Sequence, residues 1–270
     1  MCELLGMSAN TPTDICFSFA GLMERGGRTG PHQDGWGIVF YEGKGARAFH
    51  DPKPSALSPL ALWVKDYPIK SHIVISHIRQ ANVGDISLEN THPFQRELWG
   101  RNFAFAHNGQ IPQVKSFPLN HYQTIGQTDS EHGFCWILNQ LRERFPNPPQ
   151  DAKEWLDCVA QACNELAQLG VFNMLMSDGE YLMSYCSTKL CWLTRQAPFG
   201  QAQLKDAELQ VDFGQETMLG DKVTVIATEP LTQDEHWQVF EKGEFRVFKE
   251  GGTIFKRALL LKWHKEPCLR

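Results

Sequence analysis

The second residue of the chain, Cys2, combines two groups that can do covalent chemistry. Because Cys is small, a Met aminopeptidase can remove Met1, and Cys2 would then be the first residue of the mature chain. Its free α-amine, with a reference pKa of about 7.7–8.0, would lie beside its own thiol, with a reference pKa of about 8.5. One residue would therefore supply both a nucleophile and a base.

Three further segments carry residues suited to binding and polarising an amide. Arg79 ends a predicted strand that also contains His77, and a guanidinium at a strand end can grip a carboxylate with two hydrogen bonds. Asn108-Gly109 predicts a type I′ turn, which can present an amide side chain and a backbone N–H to an oxyanion. Asp129 is predicted either to cap a helix or to bind a substrate ammonium.

The hydrophobic pattern predicts the elements that must position these residues. Strands are predicted at residues 3–8, 36–41, 46–50, 69–77, 102–106, 111–114, 171–177, 180–186, 191–194, 208–213, 222–227 and 244–248. Helices are predicted after a cap at Thr13 or Asp14, over 58–66, over 129–144, and after the Pro-rich break at 146–149. Hairpins dominate and simple βαβ alternation is absent. This favours an α+β fold of two mainly antiparallel sheets with helices on their outer faces.

The composition narrows the class of protein. The 270 residues carry 26 Lys and Arg against 31 Asp and Glu, a net charge of −5, which disfavours a general nucleic-acid binder. No stretch approaches the roughly 18 apolar residues of a membrane-spanning helix, and no export signal precedes Glu3. We therefore expect a cytoplasmic protein with no nucleic-acid or membrane partner. The sequence leaves its oligomeric state open.

Eight cysteines are present, and disulfides are not predicted for a chain without an export signal. The pairs Cys158/Cys163 and Cys186/Cys191 have a spacing that turns the two side chains of each pair away from each other. This argues against a local metal chelate. Seven of the cysteines are therefore predicted to be buried apolar residues, and Cys2 is the exception.

Six motifs taken together resemble the class II glutamine amidotransferases, members of the N-terminal nucleophile hydrolase superfamily. They stand in the family's order and cover roughly half of the chain: Met1-Cys-Glu-Leu4, Asp34-Gly-Trp-Gly-Ile38, His77-Ile-Arg79, Thr91-His-Pro93, His107-Asn-Gly109 and Thr128-Asp-Ser-Glu131. The whole chain is most similar to the small stand-alone members of YafJ type. The resemblance implies the four-layer αββα sandwich of that superfamily, which agrees with the two-sheet prediction.

The resemblance also implies a role for each matching residue. Cys2 matches the nucleophile that attacks the glutamine side-chain amide, and Asn108 and Gly109 match the oxyanion hole. Arg79 matches the residue that binds the substrate α-carboxylate, and Asp129 matches the partner of its α-amino group. No metal and no cofactor are implied.

Two segments depart from the family pattern. Arg25-Gly26 is a partial match for the family's Arg-Gly pair, because residues 27–31 look like an inserted loop, and Arg25 is therefore a further candidate substrate-binding residue. Residues 80–84 stand where many members carry small and aromatic residues that close over glutamine. The histidines within the motifs are interpreted as structural, because a free N-terminal amine makes a histidine base unnecessary.

Three functions are consistent with these residues. The first is a glutamine amidohydrolase or amidotransferase, with residues 1–270 as one domain and no attached synthase domain, whose ammonia goes to a separate acceptor protein or is released. The second keeps the site but acts on a γ-glutamyl amide of a thiol metabolite or peptide, since that amide shares the glutamyl end of glutamine. The third is a non-catalytic binding or regulatory module, which requires that Met1 stays on the chain.

Overall fold

The computed structural model of the protein describes residues 2–213 and 218–259. Within these ranges the chain forms four α-helices: α1 (Cys16–Glu24), α2 (Pro59–Asp66), α3 (Asp129–Arg144) and α4 (Ala152–Ala167). The same ranges form these strands: β1 (Glu3–Thr13), β2 (Trp36–Glu42), β3 (Gly45–Asp51), β4 (Ser71–Ile78), β5 (Phe94–Leu98), β6 (Arg101–Gln110), β7 (Val171–Ser177), β8 (Leu182–Cys186), β9 (Cys191–Gln196), β10 (Gln201–Gln203), β11 (Gln210–Asp212), β12 (Lys222–Ala227), β13 (Gln238–Val239), β14 (Glu244–Lys249) and β15 (Gly252–Ala258). Met1, on whose removal the predicted chemistry depends, lies outside the described residues.

The strands form two large sheets and one two-stranded ribbon of β10 and β11. The first sheet has the order β13-β9-β12-β1-β4-β2-β3, and the second has the order β15-β14-β8-β7-β6-β5. Neighbouring strands pair antiparallel in both sheets. β1 lies between β12 and β4, so the strand that follows Cys2 is held by a ladder on each side.

Three apolar clusters show how the layers stack. One lies between the sheets and includes Leu4, Ile75 and Leu175. A second packs α1 and α2 on the outer face of the first sheet, and a third packs α3 and α4 on the outer face of the second. Successive residues of β1 face opposite sides, as Leu4 joins the inner cluster and Leu5 the outer one. The predicted α+β sandwich of two antiparallel sheets flanked by helices is confirmed.

The caps predicted for α1 and α3 both differ from those observed. The predicted cap of α1 is Thr13 or Asp14, but its N-cap is Ile15, which has no side-chain cap hydrogen bond. Ser58 caps α2, because its Oγ accepts the Ala61 N–H at 3.3 Å. At the start of α3 the cap is Thr128 and not Asp129, since Thr128 Oγ1 accepts the Glu131 N–H at 3.2 Å. The Asp129 carboxylate is thereby left for other contacts.

The predicted turn at Asn108-Gly109 is wrong. β6 runs through both residues, and Gly109 has an extended φ of 158°. The cause is the neighbouring strand β7, with which the ladder continues past Gly109, paired there with Phe172. These ladder contacts outweigh the local turn preference of Asn-Gly. Residues 111–114, predicted as the second arm of a hairpin, do not form a strand.

Several strands differ in extent from the pattern-based prediction. β1 continues beyond the predicted end at Ser8 to Thr13, with a register irregularity between these two residues. β5, β10, β13 and β15 are not predicted at all. They are short or partly exposed, and β5, β13 and β15 lie at sheet edges, where the apolar alternation is weak.

The cysteine prediction holds for most of the described chain. Five cysteines are buried free thiols as expected: Cys135, Cys158, Cys163, Cys186 and Cys191. Cys16 is half-buried at the start of α1, which corrects the prediction for that residue. Near the end of the described chain, Arg257 of β15 pairs with Asp157 of α4 at 2.6 Å. Cys268 and the other residues of 260–270 lie outside the described residues.

Candidate active site

Cys2 lies directly before β1, with its side chain on the side of the first sheet that faces the second sheet. Its Sγ accepts the backbone N–H of Gln80 at 3.3 Å and lies 3.5 Å from the Gln80 carbonyl oxygen. Burial raises the pKa of the Cys2 thiol, whereas the Gln80 N–H and the charge of Arg79 oppose this rise. The sulfur therefore has a backbone donor and a nearby cation, two features that favour a reactive thiolate.

A small cavity of about 20 Å³ lies beside the Cys2 thiol. Its lining brings Cys2 together with three other predicted site residues, Arg79, Gly109 and Asp129. These residues belong to the ends of three different strands and to the start of α3. The volume suits about one water molecule, so a larger ligand requires surrounding groups to move.

Arg79 directly follows β4 and is held by the loop that comes after it. Its Nη1 donates to the Asp85 carbonyl at 2.8 Å, and its Nη2 donates to the carbonyls of Val83 and Gly84 at 3.0 and 3.1 Å. The loop itself is tied down, because Asp34 Oδ2 accepts the Ala81 N–H at 2.7 Å. Both N–H groups of Nη2 are engaged, so a carboxylate that forms a two-pronged pair involving Nη2 must displace at least one of these carbonyls.

Asn108 and Gly109 are neighbours near the end of β6. Asn108 Nδ2 lies 3.4 Å from Thr228 Oγ1, and Asn108 Oδ1 is buried without a hydrogen-bond partner in the described part of the chain. Asn108 approaches the site without lining the cavity. Gly109 lines it, and a Cβ at this position would lie 1.8 Å from the Val171 carbonyl oxygen of β7. Only glycine allows β6 and β7 to approach this closely.

Asp129 reaches the cavity from the first turn of α3. Its Oδ2 accepts the Ile111 N–H at 2.8 Å, and its Oδ1 accepts the Ser130 N–H at 2.9 Å. Ser130 Oγ in turn lies 2.8 Å from His107 Nδ1. These bonds fix the carboxylate at the cavity wall, and its remaining lone pairs can accept hydrogen bonds from a cation.

Three buried histidines pack around the site. Burial lowers the pKa of His77, His92 and His107, to about 3 for His77. His77 Nε2 lies 3.1 Å from the His107 carbonyl oxygen, so this nitrogen carries the proton of the neutral ring. The His92 ring packs between His77 and Phe94, with centroid distances of 4.2 and 4.3 Å. Neutral rings of low basicity are poor general bases, which favours the structural interpretation.

The structure does not place Arg25 in the cavity. Arg25 lies at the end of α1 on the outer face of the first sheet, where its guanidinium donates to Glu3, Asp206 and two backbone carbonyls. Its donors are directed away from the cavity beside Cys2. The expectation that Arg25 contacts substrate thus has no geometric support, and its place next to Glu3 indicates a different role.

Three contacts of the site were not predicted from the sequence. They are the Gln80 backbone N–H on the sulfur, the Ser130 hydroxyl on His107, and the Thr228 hydroxyl that accepts the Leu4 N–H at 2.9 Å. Ser130 lies within a motif that the sequence singled out, and this adjacency could have indicated it. Gln80 and Thr228 act through long-range strand and loop packing, for which the sequence pattern contains no signal.

Residues 2–213 and 218–259 contain no cluster of three or more His, Cys, Asp or Glu side chains that could hold a metal ion. None of the helices formed by the same residues has the length and apolar character needed to cross a membrane.

Known proteins resemble this chain over most of its length. The family model described as "Glutamine amidotransferases class-II" matches residues 1–266. The Escherichia coli K12 protein named "Putative glutamine amidotransferase YafJ" is 59% identical over 254 residues, which cover 94% of this chain and 100% of that protein. A Haemophilus influenzae protein named "Putative glutamine amidotransferase" is 46% identical over 254 residues, covering 94% of this chain and 86% of that protein.

Solved structures share the fold. A 2.0 Å crystal structure titled as a predicted glutamine amidotransferase from Pseudomonas aeruginosa PA01 is 52% identical, with a TM-score of 0.76, and the match covers 94% of this chain and 100% of that one. The glutamine phosphoribosylpyrophosphate amidotransferase of Bacillus subtilis is 16% identical, with a TM-score of 0.60 over 97% of this chain and 50% of that one. At this identity the second likeness concerns the fold alone.

Proposed function

Because this chain belongs to the class II glutamine amidotransferases, a family of enzymes, we propose that Cys2 is its nucleophile and hydrolyses the side-chain amide of glutamine. One observation carries the proposal. Cys2, Arg79, Gly109 and Asp129 come from distant parts of the sequence and line the same buried cavity. Together they supply a sulfur nucleophile, a cation, a main-chain segment and a carboxylate. This set of groups can bind an amino acid that carries a side-chain amide.

The reaction uses both functional groups of a Cys2 freed from Met1. The α-amine takes the thiol proton, and the sulfur attacks the amide carbon to form a C–S bond. The amide oxygen becomes an oxyanion, which the Asn108 amide and the Gly109 N–H stabilise. The C–N bond then breaks, and the amine returns the proton to the leaving ammonia. Water attacks the resulting γ-glutamyl thioester, which yields glutamate and restores the thiol.

The other end of glutamine is bound by two opposite charges. Arg79 donates a pair of hydrogen bonds to the α-carboxylate after releasing at least one loop carbonyl from Nη2. Asp129 accepts from the α-ammonium while its backbone contacts keep it in place. The family match over residues 1–266 supports one amidotransferase domain, and the ammonia leaves to a separate acceptor or to solvent.

The proposal is tested by glutamate release from glutamine with the Met1-processed protein. Intact mass first establishes that Met1 is absent. Wild type is expected to release glutamate, and Cys2→Ser is expected to lose at least about 1,000-fold of the rate, since an alcohol is not ionised by the amine near neutral pH. The matched control is Cys16→Ser, a half-buried thiol on the outer face, which should keep the wild-type rate. Equal rates for wild type and Cys2→Ser would refute the assignment.

A further inference from the structure

Glu3 and Cys2 are adjacent in sequence but face opposite sides of the first sheet. Cys2 and Leu4 face the second sheet, whereas Glu3 and Leu5 face α1. The Glu3 side chain is about nine-tenths buried, as is the Arg25 side chain that it contacts. A buried carboxylate therefore lies one residue from the nucleophile, on the far side of the sheet from the cavity.

Arg25 binds Glu3 through one hydrogen bond and uses its other donors on neighbouring segments. Its Nη1 donates to Glu3 Oε2 at 2.9 Å and to the Glu229 carbonyl at 3.2 Å. Its Nε donates to Asp206 Oδ2 at 2.8 Å, and its Nη2 donates to the Pro230 carbonyl at 2.8 Å. All three guanidinium nitrogens are engaged, and they join β1 to the end of α1 and to two loops of the chain.

A contribution to stability does not by itself explain why Glu3, Arg25 and Asp206 are buried together. Buried ion pairs often contribute no more to the free energy of unfolding than apolar side chains of similar volume, because both charges lose their hydration. A triad of two carboxylates and one guanidinium also leaves one negative charge uncompensated. Its position next to the nucleophile offers a second reason.

Chain ends fray unless they are tied down, and Cys2 becomes a chain end when Met1 is removed. Glu3 is the first side chain after Cys2, so it is the first that can hold the strand from the outer face. On the backbone, Glu3 pairs with Ile78, and the Leu4 N–H donates to Thr228 Oγ1. The Glu3–Arg25 contact adds a charged side-chain restraint at the residue where β1 begins.

We propose that Glu3, Arg25 and Asp206 form a buried anchor that positions the Cys2 thiol and α-amine and sets their proton affinity. The inference rests on the proposed function, in which both groups exchange a proton. Arg25 is a positioning residue in this account, because it acts through Glu3 and touches no substrate.

The anchor acts electrostatically as well as sterically. Burial raises the pKa of the Cys2 thiol, Arg79 lowers it, and the Glu3 charge raises it further. A negative charge also stabilises the protonated amine, so removing it lowers the pKa of both groups. The remaining titratable or charged groups that face Cys2 across the cavity are Arg79, His92, His107 and Asp129.

The Glu3 carboxyl has its own surroundings. Burial raises the pKa of Glu3, and Arg25 opposes the rise strongly, with His32 acting in the same direction as Arg25 and Glu229 in the opposite one. Asp206 reaches Glu3 through the shared guanidinium. The contact with the Arg25 guanidinium at 2.9 Å favours the ionised form of the Glu3 carboxyl, against the effect of burial.

Two variants separate position from charge. Glu3→Gln keeps the shape and one acceptor but removes the charge, so the acidic limb of the kcat/KM profile for glutamine should move about half a pH unit lower. Arg25→Lys keeps the charge but loses the guanidinium donors that contact several partners at once. We therefore expect kcat to fall at least about tenfold while KM stays within about twofold of wild type. The acidic limb of the pH profile should not move. A KM-neutral loss of kcat marks misplacement of the nucleophile and not loss of substrate binding.

The matched control is Glu235→Gln. Glu235 forms a buried bidentate pair with Arg195 of β9 at 2.7 and 2.6 Å, in the same sheet but away from the cavity. This variant should lower the thermal midpoint as the anchor variants do while kcat and the pH profile stay at wild type. If Glu3→Gln and Arg25→Lys also lose only thermal stability, the anchor proposal is wrong.

A second measurement does not depend on glutamine turnover. The rate of Cys2 alkylation by iodoacetamide, followed by peptide mass, reports the thiol pKa directly. In Glu3→Gln the alkylation profile should shift to lower pH relative to wild type. An unchanged profile overturns the proposal even if wild type hydrolyses glutamine. A shifted profile in a protein without hydrolase activity supports the anchor and rejects the proposed function.

Discussion

At the scale of single residues, Arg79 serves two purposes that its surroundings make separable. Its charge lowers the pKa of the buried Cys2 thiol, whose burial raises it. Three of its five N–H donors face loop carbonyls, and both donors of Nη2 are among them, so a two-pronged bond to a carboxylate through Nη2 requires an exchange. Binding of a substrate carboxylate would therefore compete with loop structure, and the measured affinity would be lower than that of the bare ion pair.

Replacing Arg79 should affect binding more than the chemical step. We expect Arg79→Met to raise KM for glutamine about 100-fold, because a charged pair of hydrogen bonds is lost. The pH at which Cys2 is alkylated at half its maximal rate should also rise, since the cation that favours the thiolate is gone. Initial-rate kinetics and the alkylation profile check the two effects. Arg101→Met, which removes a half-exposed guanidinium at the other end of β6, is the control and should alter neither.

At the scale of elements, the start of α3 determines where the Asp129 carboxylate lies. Thr128 performs the capping, so Asp129 is the first helical residue and its side chain is held by Ile111 and by its own first turn. Because Thr128 and not Asp129 caps the helix, the Asp129 carboxylate is free to face a ligand.

Loss of this cap should therefore cost both stability and binding. Thr128→Ala is expected to lower the free energy of unfolding by about 1 kcal/mol and to raise KM for glutamine. Asp151→Ala is the matched control, because Asp151 caps α4 by accepting the Lys153 N–H at 2.9 Å, away from the cavity. It should lose a similar stability without a change in KM. Denaturant unfolding measures the stability of the two variants, and initial-rate kinetics measures their KM for glutamine. Equal KM values for both variants would contradict the assigned role of Asp129.

At the scale of the whole molecule, the two sheets enclose histidines that stay neutral on folding. Burial lowers the pKa of His77 from its ordinary value of 6.5 to about 3, and it lowers the pKa of His92 and His107 as well. As the pH falls below about 6.5, the unfolded chain binds protons at these sites and the folded chain does not. Folding stability is therefore complete above that pH and is lost progressively toward pH 3.

This linkage predicts a loss of about 1 kcal/mol per buried histidine between pH 7.5 and 5.5. Urea unfolding at the two pH values measures it. In His77→Gln the amide can still donate to the His107 carbonyl. The change in unfolding free energy between the two pH values should be smaller in this variant by the contribution of one histidine. The exposed His121→Gln is the control and should leave the dependence unchanged. A pH dependence that is the same in His77→Gln and wild type would show that His77 does not carry this linkage.

The residue pattern is sufficient to predict the class of fold and the candidate residues. Alternating and helical periodicities arise from local burial, so the α+β architecture and helices α1 to α4 follow from them. The residue types at Cys2, Arg79, Gly109 and Asp129 indicate amide chemistry wherever the fold brings them together. The structure places these four around one cavity.

The contacts that join distant segments become apparent only in the folded chain. Local preference predicted a turn at Asn108-Gly109, but pairing with β7 carries β6 straight through it. Arg25 matched a substrate-binding position, yet it folds onto Glu3 and Asp206 on the other face of the sheet. Both outcomes depend on which strands and loops become neighbours in space. That choice is made by long-range packing and ladder hydrogen bonds, and neither leaves a periodic trace in the sequence.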